Sequence, residues 1–340
     1  MNTKQPTIKQ IAIALNVSVS TVSRALSDHP RIGLGTRLKV QQLAKDLGYE
    51  PNTQAIFFKQ NKTFTIGVIL PFIREEFFSQ AICGIETIAV KNNYTILFGQ
   101  SYDDLEAEKK IADAMRKHRV DGLIVSLSKN TNDYAHFEVF KKYGIPVVYF
   151  DRVPPLSDIN KVYCDLFNGT IEMVNWLHQE KGCRRIALLN GSEKLMASEE
   201  RLNGYKKAIT GKRLKVDMRL VEVTDFSKQG TYDAMKKLLE LKSPPDAIIS
   251  FNDYVHMDAV QYAIKENINV NSGIYFASYS NLSITNYTSH PPIISIEQYP
   301  QKQGEHAMDL MIKILENNKG PLEFREVVFS VKIETSFISH

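Results

Sequence analysis

The chain has 340 residues, 43% hydrophobic and 24% charged, an ordinary globular balance with room for two or three domains. No run of 18 apolar residues is present, which excludes a transmembrane helix, and a polar N-terminus that leads straight into a helix gives no secretory signal, so a cytoplasmic location is expected. Nine bases against three acids give residues 1–62 a net charge of +6, which leaves −2 on the rest of a chain whose total is +4; a basic head on a near-neutral body suits a nucleic-acid-binding segment joined to a domain that binds something else.

Ile8, Ile11, Ala12 and Leu15 recur at helical spacing, with Thr7 as a cap and Gln10 as its capping-box partner. Asn16 suits the left-handed turn that ends the helix, and Ser18 caps a second helix. On that helix Val22, Ala25 and Leu26 share the packing face, while Val19, Ser20, Ser23 and Arg24 point elsewhere. This is the pattern of a helix-turn-helix whose second helix enters a DNA major groove. The residues expected to meet DNA are Thr7, Ser18, Val19, Ser20, Thr21, Ser23, Arg24 and Arg37. Val40, Leu43, Ala44 and Leu47 predict a third helix closed by Gly48, and Pro51 disfavours helix at Glu50. Asn52–Lys59 is long enough for about two helical turns, too short to be stable alone.

From Phe64 the rhythm changes to strands alternating with helices. Ile66–Leu70, Thr95–Phe98, Gly122–Leu127 and Pro146–Phe150 read as strands, separated by helices Phe78–Asn92, Asp104–His118 and Tyr134–Tyr143. The pattern restarts with strands Arg185–Leu189, Arg219–Val223, Ala247–Ser250 and Ile274–Ala277, and ends with strand Ile293–Glu297, helix Lys302–Asn317 and a strand-like tail, Val327–Thr335. Tandem βαβ patterns predict two parallel-sheet lobes with a cleft between them. Ligands bind beyond the carboxyl ends of such strands, where the sequence puts Phe78, Asp151, Arg152, Asp165, Arg201, Asn252, Tyr279, Ser280 and Gln298. Aromatic faces beside Arg, Asp and Asn suit a small polyhydroxylated ligand. Phe77 is expected to be core. Asp253 is open between helix cap and ligand contact, and Arg152 between ligand contact and interlobe ion pair. Cys83, Cys164 and Cys183 show neither metal spacing nor a redox pair and read as buried free thiols.

The order TIKQIAIALNVSVSTVSRAL, then TRLKVQQLAKDLGYEPN, then a short segment and TIGVILP resembles the lactose-repressor-type (LacI/GalR) family of bacterial regulators, and later landmarks carry the likeness through nearly the whole chain. The resemblance implies an α/β protein with an all-α helix-turn-helix headpiece (1–50), a hinge (51–62) and a periplasmic-binding-protein-like core (63–340) of two doubly wound lobes. One lobe is expected at about 63–160 plus 292–320 and the other at about 161–291 plus 321–340, with crossings near Asn160, Pro291 and Pro321. It further implies that Asn52, Ala55 and Phe58 of the hinge meet the minor groove, with Phe58 as an apolar wedge. Arg201, Asn252, Asp151 and Gln298 match positions that commonly hold the family's ligand. Two departures stand out: Glu75-Glu76 replace the usual Asn-Pro, and Ser278-Tyr279-Ser280-Asn281 replaces Gly-Phe-Asp-Asp. The expected protein is a homodimeric DNA-binding regulator, acting as a repressor on double-stranded operator DNA. A small effector, a sugar or sugar derivative, would switch it; a nucleoside or another metabolite is the variant reading. A transport solute-binding protein shares the fold but would carry an export signal and no basic headpiece. No P-loop, nucleophile elbow, GxGxxG or metal-spaced His and Cys set is present, so no catalytic residue, cofactor or metal is expected.

Overall fold

The structure, a computed structural model, describes residues 6–50, 62–317, 325–330 and 332–335. The chain divides into two compact units, 1–63 and 64–340. The hinge residues Asn52, Ala55 and Phe58 lie outside the described residues.

In the first unit, helices α1 (Ile8–Ala14), α2 (Val19–Leu26) and α3 (Leu34–Asp46) close on a core of Ile11, Ala12, Val22, Ala25, Val40 and Ala44. Gln10 Oε1 accepts from Thr7 N at 2.7 Å, and Thr7 and Gln10 form the expected capping box. Asn16 adopts φ 50° and Gly48 φ 62°, the left-handed conformations that end α1 and α3. Ser18 Oγ accepts from Thr21 N at 3.0 Å and starts α2. Leu47, expected on the packing face of α3, is 43% exposed.

The second unit holds two sheets. Strands β1 (Thr65–Leu70), β2 (Thr95–Gln100), β3 (Gly122–Val125), β4 (Val147–Phe150), β5 (Asn160–Cys164) and β11 (Glu326–Phe329) form a parallel sheet of order β2-β1-β3-β4-β5-β11. Strands β6 (Ile186–Asn190), β7 (Val221–Val223), β8 (Ala247–Ser250), β9 (Tyr275–Ser280) and β10 (Ile294–Glu297) form the second, in order β7-β6-β8-β9-β10, with β12 (Lys332–Thr335) antiparallel on β10. Both carry the 2-1-3-4-5 order of doubly wound folds. Their central strands are almost continuous runs of fully buried Ile, Val, Leu and Ala, as sheets covered on both faces require. No described helix is long and apolar enough to cross a membrane.

The expected lobe boundaries need correction. β5 pairs with β4 in the first sheet, so that lobe runs on to Cys164. β10 pairs with β9 and belongs to the second lobe. The tail is two strands, β11 on β5 and β12 on β10. The crossings therefore fall at Asp165, at Gln298–Tyr299 and between Phe329 and Lys332, each five or more residues beyond the expected position. Short apolar strands carry no mark of which sheet they join; long-range pairing decides it.

Helices α4 (Glu76–Lys91) and α11 (Pro300–Glu316) pack on the first sheet with their backbones in contact. A Cβ at Gly84 would sit 2.1 Å from the Gln301 carbonyl oxygen, and one at Gly304 would sit 2.1 Å from that of Ala81. This contact fixes the start of α11 and hence the middle crossing. Cys164 and Cys183 are buried, but Cys83 is exposed on α4, contrary to the expected burial.

Candidate functional site

The headpiece presents one polar face. Val19, Ser20, Ser23 and Arg24 are exposed on α2, and the Arg24 guanidinium has no partner among the described residues. Ser18 Oγ lies 2.7 Å from Ser20 Oγ and 2.8 Å from Thr21 Oγ1, which ties the first turn of α2 into one hydroxyl cluster. Arg37 Nη2 donates to the Ile32 carbonyl at 3.2 Å and Nη1 lies 3.7 Å from Asp28, which braces the link between α2 and α3. Thr7 is exposed at the start of α1.

In the second unit the lobes meet over a cleft at the carboxyl ends of their strands that is open to solvent on one side. Phe78, Asp151, Arg152, Arg201, Asn252, Ser280 and Gln298 line it together. Arg201, in the first turns of α8 (Met196–Gly211), is 3% exposed. Its guanidinium carbon lies 3.9 Å from the ring centre of Phe251 and 4.1 Å from that of Tyr279. Nε and Nη1 are buried and have no hydrogen-bond partner among the described residues. Burial lowers its pKa, and Tyr279 and Asp151 pull the other way.

Asp151 follows β4 with φ 56°. Desolvation pushes its carboxyl up to about 6, against the pull of Arg152 and Arg201. Arg152 Nη1 donates to Asp103 Oδ1 at 2.6 Å, so its ion pair lies within one lobe and not between lobes. Asn252 caps α10 (Asp253–Lys265), accepting from Val255 N at 2.9 Å. Asp253 is buried and accepts from Leu282 N at 2.6 Å, and burial pushes its pKa up to about 7; it is a structural group behind the cleft. Gln298, on the middle crossing, accepts from Ser280 Oγ at 3.1 Å through its side chain and from Gln303 Nε2 at 2.8 Å through its carbonyl.

Two expected residues do not reach the cleft. Asp165 caps α7 (Leu166–Lys181), accepting from Asn168 N at 3.0 Å. Tyr279 is fully buried behind Arg201, with its hydroxyl 2.5 Å from Thr170 Oγ1. Alternation along β9 turns Ser280 into the cleft and Tyr279 into the core. Sequence reasoning left out Tyr254, Phe251, Ala197 and Leu282, and read Phe77 as core alone; these five line the cleft together with Glu75. The Glu75-Glu76 departure was the one available signal, since the others sit on segments whose facing is set by how the lobes meet. Glu76 reaches across: its carboxylate accepts from Ser283 N at 3.0 Å, Ser283 Oγ at 2.7 Å and Ile284 N at 3.1 Å, while its amide donates to Tyr254 Oη at 3.0 Å.

Comparison with known proteins agrees with both units. Residues 63–340 match the family described as periplasmic binding proteins and sugar binding domain of LacI family, and residues 7–52 match bacterial regulatory proteins, lacI family. The chain belongs to the LacI family. As a LacI-family member it is a DNA-binding transcriptional regulator, and its relatives are regulators rather than enzymes. It is 29% identical over 306 residues to the HTH-type transcriptional repressor CytR of Escherichia coli strain K12, covering 90% of this chain and 89% of CytR. It is also 29% identical to catabolite control protein A of Priestia megaterium, covering 96% and 97%. The lac repressor dimer bound to operator and the anti-inducer ONPF superposes with a TM-score of 0.81 at 22% identity, covering 97% and 98% of the two chains, and shares the fold.

Proposed function

We propose that the chain is a repressor that binds a near-palindromic operator as a homodimer, and that a small sugar-like or nucleoside effector, held in the interlobe cleft, switches its DNA affinity. The single observation that carries the effector reading is Arg201. A guanidinium buried between two rings with two unpaired N–H groups costs several kcal/mol unless a ligand supplies acceptors. Phe78, Asp151, Arg152, Asn252, Ser280 and Gln298 surround it with further polar and aromatic surface. One relative supports a ring-shaped polyhydroxylated ligand: an Enterococcus faecium LacI-family regulator solved with bound ribose, 25% identical with a TM-score of 0.70, covering 80% of this chain and 97% of that one. The aromatic residues Phe78, Phe251 and Tyr254 in the same cleft favour a nucleoside as the second reading, because a base offers a flat face to stack on.

The switch follows from linkage. An effector shifts the equilibrium only by its unequal affinity for two lobe arrangements, and operator affinity changes by the same factor, typically about 1–3 kcal/mol. The dimer follows from the reach of one recognition helix, which reads only a few base pairs, and from the lac repressor likeness. A cytoplasmic location fits a regulator of DNA. A transport role is disfavoured by the lacI-type headpiece. The test pairs thermal-shift screening against sugars and nucleosides with operator gel shifts. A ligand that binds the native state raises Tm and alters operator affinity in the wild type but not in Arg201→Ala. Unchanged effector response in Arg201→Ala overturns the cleft assignment.

A further inference from the structure

We propose that the cleft contains a subsite for a cationic amine with Glu75 as its counter-ion, so that the effector is an amino sugar or a ring of similar size bearing an ammonium group. This rests on the cleft being the effector site.

Glu75 and Glu76 are adjacent acids with different fates. Glu76 is consumed by its bonds to Ser283 and Ile284 across the lobes. Glu75 stands at the cap position of α4 without capping it through its side chain, lines the cleft, and its carboxylate accepts no hydrogen bond among the described residues. Its surroundings do not neutralise it. Desolvation raises its pKa; Arg152 and Arg74 pull down, while Asp103 and Asp151 push up. Arg152 is already held by Asp103 at 2.6 Å, and Arg74 is exposed over the Phe72 ring at 5.2 Å. With Arg152 taken by Asp103, the cleft lining leaves the two carboxyls of Glu75 and Asp151 against the single remaining guanidinium of Arg201.

An acidic wall alone is not a site. The independent observation is Arg201 in the facing lobe, nearly fully buried and with two N–H groups unpaired. The cleft is thus shaped for a ligand that accepts hydrogen bonds at one end and donates at the other. A hydroxyl would satisfy the acceptors at the Glu75 wall but leave the excess negative charge buried, which is costly. An ammonium removes that cost and gains a charge-assisted bond. The serine at position 280, where the resemblance leads one to expect an acid, moves the carboxylate load to the opposite wall.

The test uses the full chain with D-glucosamine, D-galactosamine and D-mannosamine, their N-acetyl forms, the parent hexoses, and cytidine and adenosine as probes, read by thermal shift and titration calorimetry. One amino hexose should bind the wild type roughly tenfold or more tighter than its N-acetyl and parent forms, the increment of a hydrogen bond to a charged group. Glu75→Gln should erase that preference without lowering the Tm of the ligand-free protein. Equal binding of amino and parent forms, or a preference that survives in Glu75→Gln, overturns the amine subsite. So does binding of neutral probes alone, which leaves the cleft assignment standing. Binding that persists in Arg201→Ala, or no binding by any probe class, overturns the cleft assignment together with the subsite.

Discussion

Replacing Arg201 with methionine should stabilise the ligand-free core while destroying effector binding. The side chain is 3% exposed, sandwiched at 3.9 Å and 4.1 Å between Phe251 and Tyr279, with Nε and Nη1 unpaired. Two desolvated cation–π contacts return about 2 kcal/mol each. Against this stand about 1–3 kcal/mol for each unpaired donor and several kcal/mol for desolvating the ion itself. Methionine keeps contact with both rings through its sulfur, at about 0.3–1.5 kcal/mol per contact, and carries no charge. The net expectation is a gain of about 1–4 kcal/mol, the range seen when buried ions are replaced by apolar groups, or roughly 2–4 °C in Tm per kcal/mol. Effector binding should fall by about a hundredfold or more, since two charge-assisted bonds at about 1.5–3 kcal/mol each are lost. Scanning calorimetry without ligand gives the first quantity, and calorimetric titration with the strongest thermal-shift hit gives the second. A ligand-free protein destabilised by several kcal/mol would mean that Arg201 is a structural ion, and the reasoning fails.

Arg24→Ala should cost roughly 1–3 kcal/mol of operator binding and leave non-operator binding less affected, measured by gel shift at fixed salt; equal losses on both DNAs would make Arg24 a phosphate contact. Glu76→Ala removes the carboxylate that accepts from Ser283 and Ile284 and should open the lobes, raising the radius of gyration in solution scattering and speeding effector release; an unchanged scattering curve counts against an interlobe latch. Asp253→Asn should stabilise the core by on the order of 2–4 kcal/mol at pH 8 and by little near pH 4. Burial raises the folded pKa of Asp253 to about 7, so the folded state keeps a proton that the unfolded chain has lost, and this stability disappears as pH rises through 7. A gain that grows toward low pH would contradict that sign.

Much of the headpiece was legible because its determinants are local. Asn16 at a left-handed turn, Ser18 as a cap and the Val22–Ala25 packing face all lie within a few residues of what they organise. The bracing bond of Arg37 was not legible, because its partner, the Ile32 carbonyl, is reached only by the particular path of the loop before α3. The cleft was legible to the extent that strand ends could be found from hydrophobic runs, which brought Phe78, Asp151, Arg152, Arg201, Asn252, Ser280 and Gln298 to one place.

The sequence by itself determined the helices of the headpiece, the alternation of strand and helix, and the division into a basic head and a two-lobed body, because periodicity, capping and charge act over short distances. Only the tertiary structure decided which sheet β5, β10 and the tail strands join, since short apolar strands fit either sheet until a partner offers its edge. It also separated neighbours that the sequence leaves equivalent. Near the start of α4 successive side chains diverge by about 100°, so Glu76 spans the lobes while Glu75 faces the cleft. On β9 the two-residue alternation sends Tyr279 into the core and Ser280 to the ligand side.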